Sequence, residues 1–443
     1  MIVIENLVSV RLNPQEILLV NTLNGLLDVV DNKSMNTIER WKEEGIVNCL
    51  NHDEDTLFKQ MSKRGYIVKN KTIESSIRET LMDQLLDQNK NEKEKLKEIA
   101  LVLSYNCNFS CPYCYEALEE SGSKKIITED MVDKAISLSG GHLEHITLFG
   151  GEPLLISNRK IINYITSNYN KYSYSVITNG YYLDEYIDIF KKIDVKQVQV
   201  TIDGTEATHD LSRCLKNGKG TYTKIMKGVT SYLENGIPIK IRMNMSEENY
   251  VDCINHRDIL LEQYKEFTDI LSFEMATIFD TSGEKRSKIN QELMQNDLKN
   301  TVFKKKESIN QYLSSSLPIT KFFTLNKPIK PIITPCRAHT NSRFYDSEGN
   351  IYSCILSVGK ERFSIGKYYP KVETKQNSII NRNVSNIEQC SQCKYALICG
   401  GGCPLIFNDD NLMLPNCSYC MDELYEQIPN IYNTKHQKVI NNI

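Results

Sequence analysis

From residue 99 to about 320 the sequence alternates two patterns. Apolar, β-branched runs (IALVLSYNC, HITLFGGEP, YSVITNG, QVQVTIDG, IKIRMNM and SFEMATI) are separated by stretches with helical spacing (MVDKAISLSG, RKIINYITSNYNKY, DEYIDIFKKI, YTKIMKGVTSYLENG and RDILLEQYKEF). Runs that are apolar almost throughout are buried on both faces, and parallel strands need a crossover of helix size. This stretch therefore predicts an α/β fold with six βα repeats on a parallel sheet. Periodicity leaves open a curved, incomplete barrel and an open, doubly wound sheet. No Gly-x-Gly-x-x-Gly follows the first run, which counts against a dinucleotide fold.

The flanks read differently. Residues 1–85 carry strand patterns in MIVIENLVSVRL and EILLVNTLNGLLDVVDN around a turn at Asn24-Gly25, then short helices over 34–44 and 55–62. The helix, Gly and strand of LFKQMSKRGYIVKN give a winged-helix-like ending. The charge run 86–98 reads as a solvated helix or linker and marks a boundary. In 321–443 the proline-bearing NKPIKPIITP predicts an extended connector, after which periodicity weakens and eight of the chain's 14 cysteines follow. A loop-rich segment of this kind is expected to use metal as its core.

The chain has 443 residues and a formal charge of −3, so there is no basic excess to displace phosphate counterions, and nucleic acid is not an expected partner. No apolar run of about 18 residues is present, so no membrane span is expected. The opening MIVIENLVSVRLNPQE lacks the features of a secretory signal, which predicts a cytoplasmic protein. In a reducing compartment, clustered cysteines point to metal or redox chemistry rather than disulfides.

The first cysteine cluster is Cys107-x3-Cys111-x2-Cys114, just past the first apolar run. Its expected place is the C-terminal end of a strand, where parallel βα folds build their sites. Three thiolates on one loop can hold three irons of a cubane and leave the fourth open; a zinc knot or a redox thiol set would use the same residues. Further strand ends carry Gly150-Gly151-Glu152-Pro153, Thr178-Asn179-Gly180 and Thr201-Ile202-Asp203-Gly204, the last followed by Arg213. Glycines allow close backbone approach, a carboxylate suits an ammonium group, and an Arg fork suits a carboxylate. In the C-terminal stretch, Cys336-x12-Gly349-x4-Cys354 precedes Cys390-x2-Cys393-x5-Cys399-x3-Cys403, Cys417 and Cys420. Zinc and iron–sulfur clusters fit these spacings equally well.

These motifs resemble radical S-adenosylmethionine (SAM) enzymes with a C-terminal SPASM extension. In that family the open iron of a [4Fe–4S] cluster chelates SAM, and reductive cleavage yields a 5′-deoxyadenosyl radical. The resemblance implies that Cys107, Cys111 and Cys114 hold that cluster. It places Tyr113, Gly150, Gly151, Glu152, Thr178, Asn179, Thr201, Arg213 and Asn244 around SAM. It assigns Cys336, Cys354 and Cys403 to one auxiliary [4Fe–4S] cluster and Cys390, Cys393, Cys399 and Cys417 to a second. The first either keeps an open iron or is closed by Cys420 or an oxygen ligand, for three clusters in all. No catalytic residue is assigned.

The fold implied is a partial (β/α)6 TIM-like barrel over 99–320, a loop-rich iron–sulfur SPASM domain over 321–443 and a peptide-binding domain over 1–85. The family likeness is to peptide (RiPP) maturases such as thioether-forming sactisynthases. It implies an oxidoreductase acting on a precursor peptide with a leader, served by a reducing donor such as flavodoxin or ferredoxin. Sulfatase-maturing relatives carry an Asp where this chain has Ile355, which counts against formylglycine formation. A sulfur-to-carbon cross-link is the favoured outcome. A carbon–carbon cross-link, epimerisation or side-chain dehydrogenation are its alternatives, and a non-catalytic iron–sulfur or zinc redox scaffold is the alternative of another class.

Overall fold

The computed structural model describes residues 1–114, 124–278, 317–376, 378–407 and 411–433. Two units divide the chain. The first takes residues 1–90, 290–336 and 382–443; the second takes 91–289 and 337–381.

The first unit opens with β1 (Ile2–Val3), β2 (Leu7–Arg11), β3 (Glu16–Asn21) and β4 (Leu27–Asp31). Helices α1 (Asn32–Glu44) and α2 (His52–Lys63), strand β5 (Ile67–Val68) and helix α3 (Lys71–Glu94) follow. β2, β3 and β4 form an antiparallel sheet, and β5 pairs antiparallel with β1. The Asp31 carboxylate accepts the Ser34 amide at 2.7 Å and so caps α1, which ends at Gly45 with φ 67°. A cap of this kind contributes about 1 kcal/mol. Most of the charge run after residue 86 lies in α3, which extends to Glu94.

Side chains alternate across a strand, and here the alternation feeds two cores. Leu7, Ile17 and Leu19 pack with Met35, Ile38, Trp41 and Tyr66, under the helices. Val8, Val10, Leu18 and Val20 face the other way, into a core shared with Leu317, Ile319, Ile329, Ile398, Leu424, Ile428 and Tyr432. The sheet from the start of the chain is therefore completed by segments more than 290 residues later.

In the second unit, β6 (Glu98–Val102), β7 (His145–Phe149), β8 (Ser173–Thr178), β9 (Val195–Thr201), β10 (Ile239–Met245) and β11 (Leu271–Thr277) lie in sequential order, every neighbouring pair parallel. Helices α4 (Glu129–Ser137), α5 (Arg159–Asn168), α6 (Ile187–Phe190), α7 (Glu206–Ser212), α8 (Tyr222–Glu234) and α9 (Tyr250–Gln263) occupy the crossovers. An order that never reverses has no switch point, and crossovers of one hand then place all helices on one face. That decides between the two architectures left open by periodicity: the sheet is the singly wound, partial (β/α)6 type. Beyond β6, β12 (Phe344–Tyr345) joins in parallel, and β13 (Asn350–Tyr352), β14 (Gly366–Lys367) and β15 (Glu373–Thr374) extend the sheet antiparallel. Among the described residues no helix is long and apolar enough to cross a membrane.

Candidate functional site

The loop after β6 carries the first cysteine cluster and is held from both sides. On one side, the Gly151 amide donates to Ser104 O at 3.0 Å and the Glu152 amide to Asn106 O at 2.7 Å. A Cβ at Gly150, whose φ is 116°, would sit 2.5 Å from Ser104 O, and one at Gly151 would sit 2.5 Å from Asn106 O. The glycine pair is thus required for the approach of two strand-end loops. On the other side, Phe109 bridges antiparallel to Leu215, Ser110 N donates to Cys214 O at 3.2 Å and Lys216 N to Asn108 O at 3.1 Å.

Glu152 is fully buried. Its carboxylate accepts from the amides of Leu154 at 2.8 Å and Asn179 at 2.7 Å, and from the Thr178 hydroxyl at 2.6 Å. Burial pushes its pKa up to about 7 despite these donors. Asn179 continues the chain, its amide nitrogen donating to Asn108 Oδ1 at 2.9 Å and lying 3.8 Å from Cys107 Sγ. The ends of β7 and β8 are thereby tied to the first cysteine.

The ends of β9 and β10 meet at Asp203, which lies two residues past Thr201 and is fully buried. The Tyr113 hydroxyl donates to Asp203 Oδ2, and the Asn244 amide donates to Oδ1 at 2.8 Å. Arg213 Nη1 donates to the Tyr113 oxygen at 2.7 Å and lies 3.9 Å from Asp203 Oδ2. Burial works against the Arg213 charge, but Tyr113, Asp203 and Cys111 hold the guanidinium above its usual range. Its Nε is buried with no hydrogen-bond partner among the described residues. The Asn244 side chain accepts from Arg242 Nε at 3.0 Å. Thr201 is buried at the end of β9.

Two residues here were not singled out from the sequence. Asp203 is the acceptor on which Tyr113, Arg213 and Asn244 converge; its signal was its place in the Thr-Ile-Asp-Gly strand end. His209 is buried, with Nδ1 accepting from the Asp203 amide at 3.2 Å and Nε2 donating to the Thr221 hydroxyl oxygen at 3.1 Å; that hydroxyl donates in turn to Arg213 O at 2.7 Å. Burial lowers its pKa to about 3, so the ring is neutral.

The thiols of Cys107, Cys111 and Cys114 lie within electrostatic reach of one another. Burial, with Glu152 adding to it, pushes Cys107 up to about 12; burial also raises Cys111, where Arg213 opposes the shift. Among the described residues no three His, Cys, Asp or Glu converge as a single metal ion requires. A cubane differs, because each thiolate binds a different iron.

The C-terminal thiols fall in both units. Cys354 follows β13 in the second. In the first, Cys390, Cys393, Cys399 and Cys417 lie within electrostatic reach of one another, and the Cys420 thiol hydrogen-bonds Cys399. Cys336 and Cys403 share the neighbourhood of Arg382 with Cys390 and Cys399.

Residues 101–259 match the family model of the radical SAM superfamily. This stretch of the chain is a radical SAM domain. Sporulation killing factor maturation protein SkfB of Bacillus subtilis is 29% identical over 150 residues, which cover 34% of this chain and only 36% of that protein. Among solved structures, one titled native anSMEcpe with bound AdoMet aligns over 78% of this chain and 98% of its own, at 18% identity and a TM-score of 0.56. Streptococcus suis SuiB bound to precursor peptide SuiA aligns over 95% and 99%, at 14% identity and a TM-score of 0.50. At these identities the structural likeness is one of fold.

A radical SAM domain implies SAM and a [4Fe–4S] cluster. The residues present fit both. The donor set is three soft thiols on one loop, which suits iron–sulfur ligation with one iron left open. The partnerless Nε–H of buried Arg213 is a donor awaiting an acceptor, which the carboxylate of SAM would supply.

Proposed function

We propose that this chain is a radical SAM peptide maturase with an N-terminal peptide-binding domain (1–85), a linker (86–98), the barrel (99–320) and a SPASM domain (321–443). The observation that supports the reading is the unsatisfied Arg213 donor within electrostatic reach of Cys111, whose strand-end loop also carries Cys107 and Cys114 in a stretch matching the radical SAM family. Cys107, Cys111 and Cys114 would hold the SAM-binding cluster. Gly150, Gly151, Glu152, Thr178, Asn179, Thr201, Tyr113, Arg213 and Asn244 would surround SAM. Once bound, cluster and SAM supply a carbon radical that takes a hydrogen atom from the substrate.

The chain's own residues set the stage. Glu152, held by three donors, fixes the ends of β7 and β8 against the cysteine loop. Asp203 orients Tyr113 and, through it, Arg213. Neutral His209 holds the β9–α7 turn without placing a second cation beside Arg213. Cys336, Cys354 and Cys403, and Cys390, Cys393, Cys399 and Cys417, would hold auxiliary clusters that accept the product electron or, at an iron that Cys420 leaves open, a substrate thiolate.

A peptide substrate is supported by the maturation role in the name of SkfB and by the precursor peptide in the SuiB structure. In this chain β4 is an outer strand of the N-terminal sheet, and its Val29 is 43% exposed. An extended leader can add there as a further strand. The modification favoured is a thioether, with one hydrogen lost from carbon and one from sulfur.

The experiment is anaerobic reconstitution with iron and sulfide, followed by incubation with SAM, dithionite and a candidate Cys-bearing precursor. Formation of 5′-deoxyadenosine that is abolished in Cys111→Ala is the expected result, and its absence in the wild type would sink the proposal. Val29→Lys should leave SAM cleavage intact while weakening leader binding roughly tenfold, about 1.4 kcal/mol. Unchanged leader affinity would reject β4 as the docking edge.

A further inference from the structure

Arg382 carries a charge that nothing in its hydrogen bonding neutralises. Its side chain is completely buried. Nε donates to Leu412 O at 2.8 Å, Nη1 to Gly402 O at 2.9 Å, and Nη2 to Gly401 O at 2.6 Å and Leu414 O at 3.0 Å. All four acceptors are peptide carbonyls, and among the described residues no carboxylate pairs with this guanidinium. Burying such an ion without a counter-charge is strongly unfavourable. Among the described residues, the anion-forming groups that act on it are the thiols of Cys390, Cys403, Cys399 and Cys336.

The carbonyls it grips belong to an unusual turn. Between Cys399 and Cys403 lie three consecutive glycines, with φ of 67°, 83° and 67°. A Cβ at Gly400 would lie 2.6 Å from Pro335 N and one at Gly402 2.2 Å from Asn416 O, so side chains are excluded on both conformational and steric grounds. The peptide group joining Gly401 to Gly402 receives Arg382 at its oxygen, where the Asn416 amide also donates at 3.1 Å. Successive N–H groups in such a turn form an anion-binding nest, and a cation on the carbonyl side strengthens the donor side.

We propose that Arg382 is a positioning residue for the auxiliary iron–sulfur cluster on Cys399: it fixes the three-glycine turn between Cys399 and Cys403 through the Gly401 and Gly402 carbonyls, and its charge makes that cluster easier to reduce. Net charge and hydrogen bonds to sulfur are the levers by which a protein sets a cluster's potential. The inference rests on the reading of the C-terminal cysteines as ligands of auxiliary clusters.

The test uses the full chain carrying Cys107→Ala, Cys111→Ala and Cys114→Ala, so that only C-terminal iron remains. Iron and sulfide are counted, and reduction is followed by EPR during a dye-mediated titration, with and without Arg382→Gln or Arg382→Lys. With iron unchanged, Arg382→Gln should disfavour reduction at least tenfold, a shift of about 59 mV for one electron, and Arg382→Lys should fall between it and the parent. An unshifted potential in Arg382→Gln at full iron content overturns the proposal. If Arg382→Gln loses its iron, Arg382→Lys decides: iron retained supports a role for the charge, and iron equally lost overturns it. A parent that binds no iron overturns the auxiliary-cluster reading itself, and the missing iron distinguishes that failure from the first.

Discussion

At the scale of single residues, the barrel site is a set of buried charges that determine one another's state. Arg213 shows this most directly, since a Lys could keep the charge but not the fork that serves both the Tyr113 oxygen and a second acceptor through Nε. Arg213→Lys should weaken SAM binding to the reconstituted protein by about ten- to a hundredfold, the loss of one charge-assisted hydrogen bond of roughly 1.5–3 kcal/mol. Calorimetry of SAM binding checks it, and unchanged affinity would remove Arg213 from the pocket. His209 gives a pH signature. Its folded pKa of about 3 lies below the unfolded value of 6.5, so the unfolded chain binds the proton more readily. Its contribution to stability is fully present above pH 6.5 and is lost as pH falls toward 3, by about 1.4 kcal/mol for each pH unit in that window. Thermal melts should show a shallower acid limb in His209→Gln; parallel limbs would mean that the ring titrates normally.

At the scale of elements, the parts readable from sequence are those whose signal is local. The six parallel strands announce themselves as apolar β-branched runs, and Cys107-x3-Cys111-x2-Cys114 falls at the end of the first of them. The role of Gly150 and Gly151 was legible only as backbone freedom; their neighbour is the Ser104–Asn106 backbone, a contact no spacing encodes. Asp203, His209 and Arg382 were not singled out because their partners lie in other loops. Arg382, for instance, binds carbonyls 19 to 32 residues further along a segment without periodicity. The joining of β12 to β6 was hidden for the same reason, because a two-residue strand has too little pattern to be seen. Gly151→Ala tests the loop contact. The added carbon has no room against the Tyr105 and Asn106 carbonyls, so the cysteine loop must shift, at about 1–3 kcal/mol. Iron retention after reconstitution should fall relative to wild type, and full retention would show that the loops separate without consequence.

At the scale of the whole molecule, the N-terminal sheet is a shared element, with one face serving its own helices and the other serving the C-terminal segment. Leu18 lies on the second face, in a core with Ile398, Leu424 and Ile428. Leu18→Ala should cost about 2–5 kcal/mol. Limited proteolysis should then open sites between residues 411 and 433 as well as in the sheet, whereas cleavage confined to the first 31 residues would show the two segments to be independent. The same core explains why deleting residues 1–85 is a poor test of leader binding: it would strip an apolar face from the segment that carries Cys399 and Cys420.

This two-sided sheet also imposes an order of events on biosynthesis. The strands at residues 7–21 hold an uncovered apolar face until residues near 320 and then 430 have been made. Contacts of that sequence span close late and slowly. That face is therefore open to other contacts for most of translation.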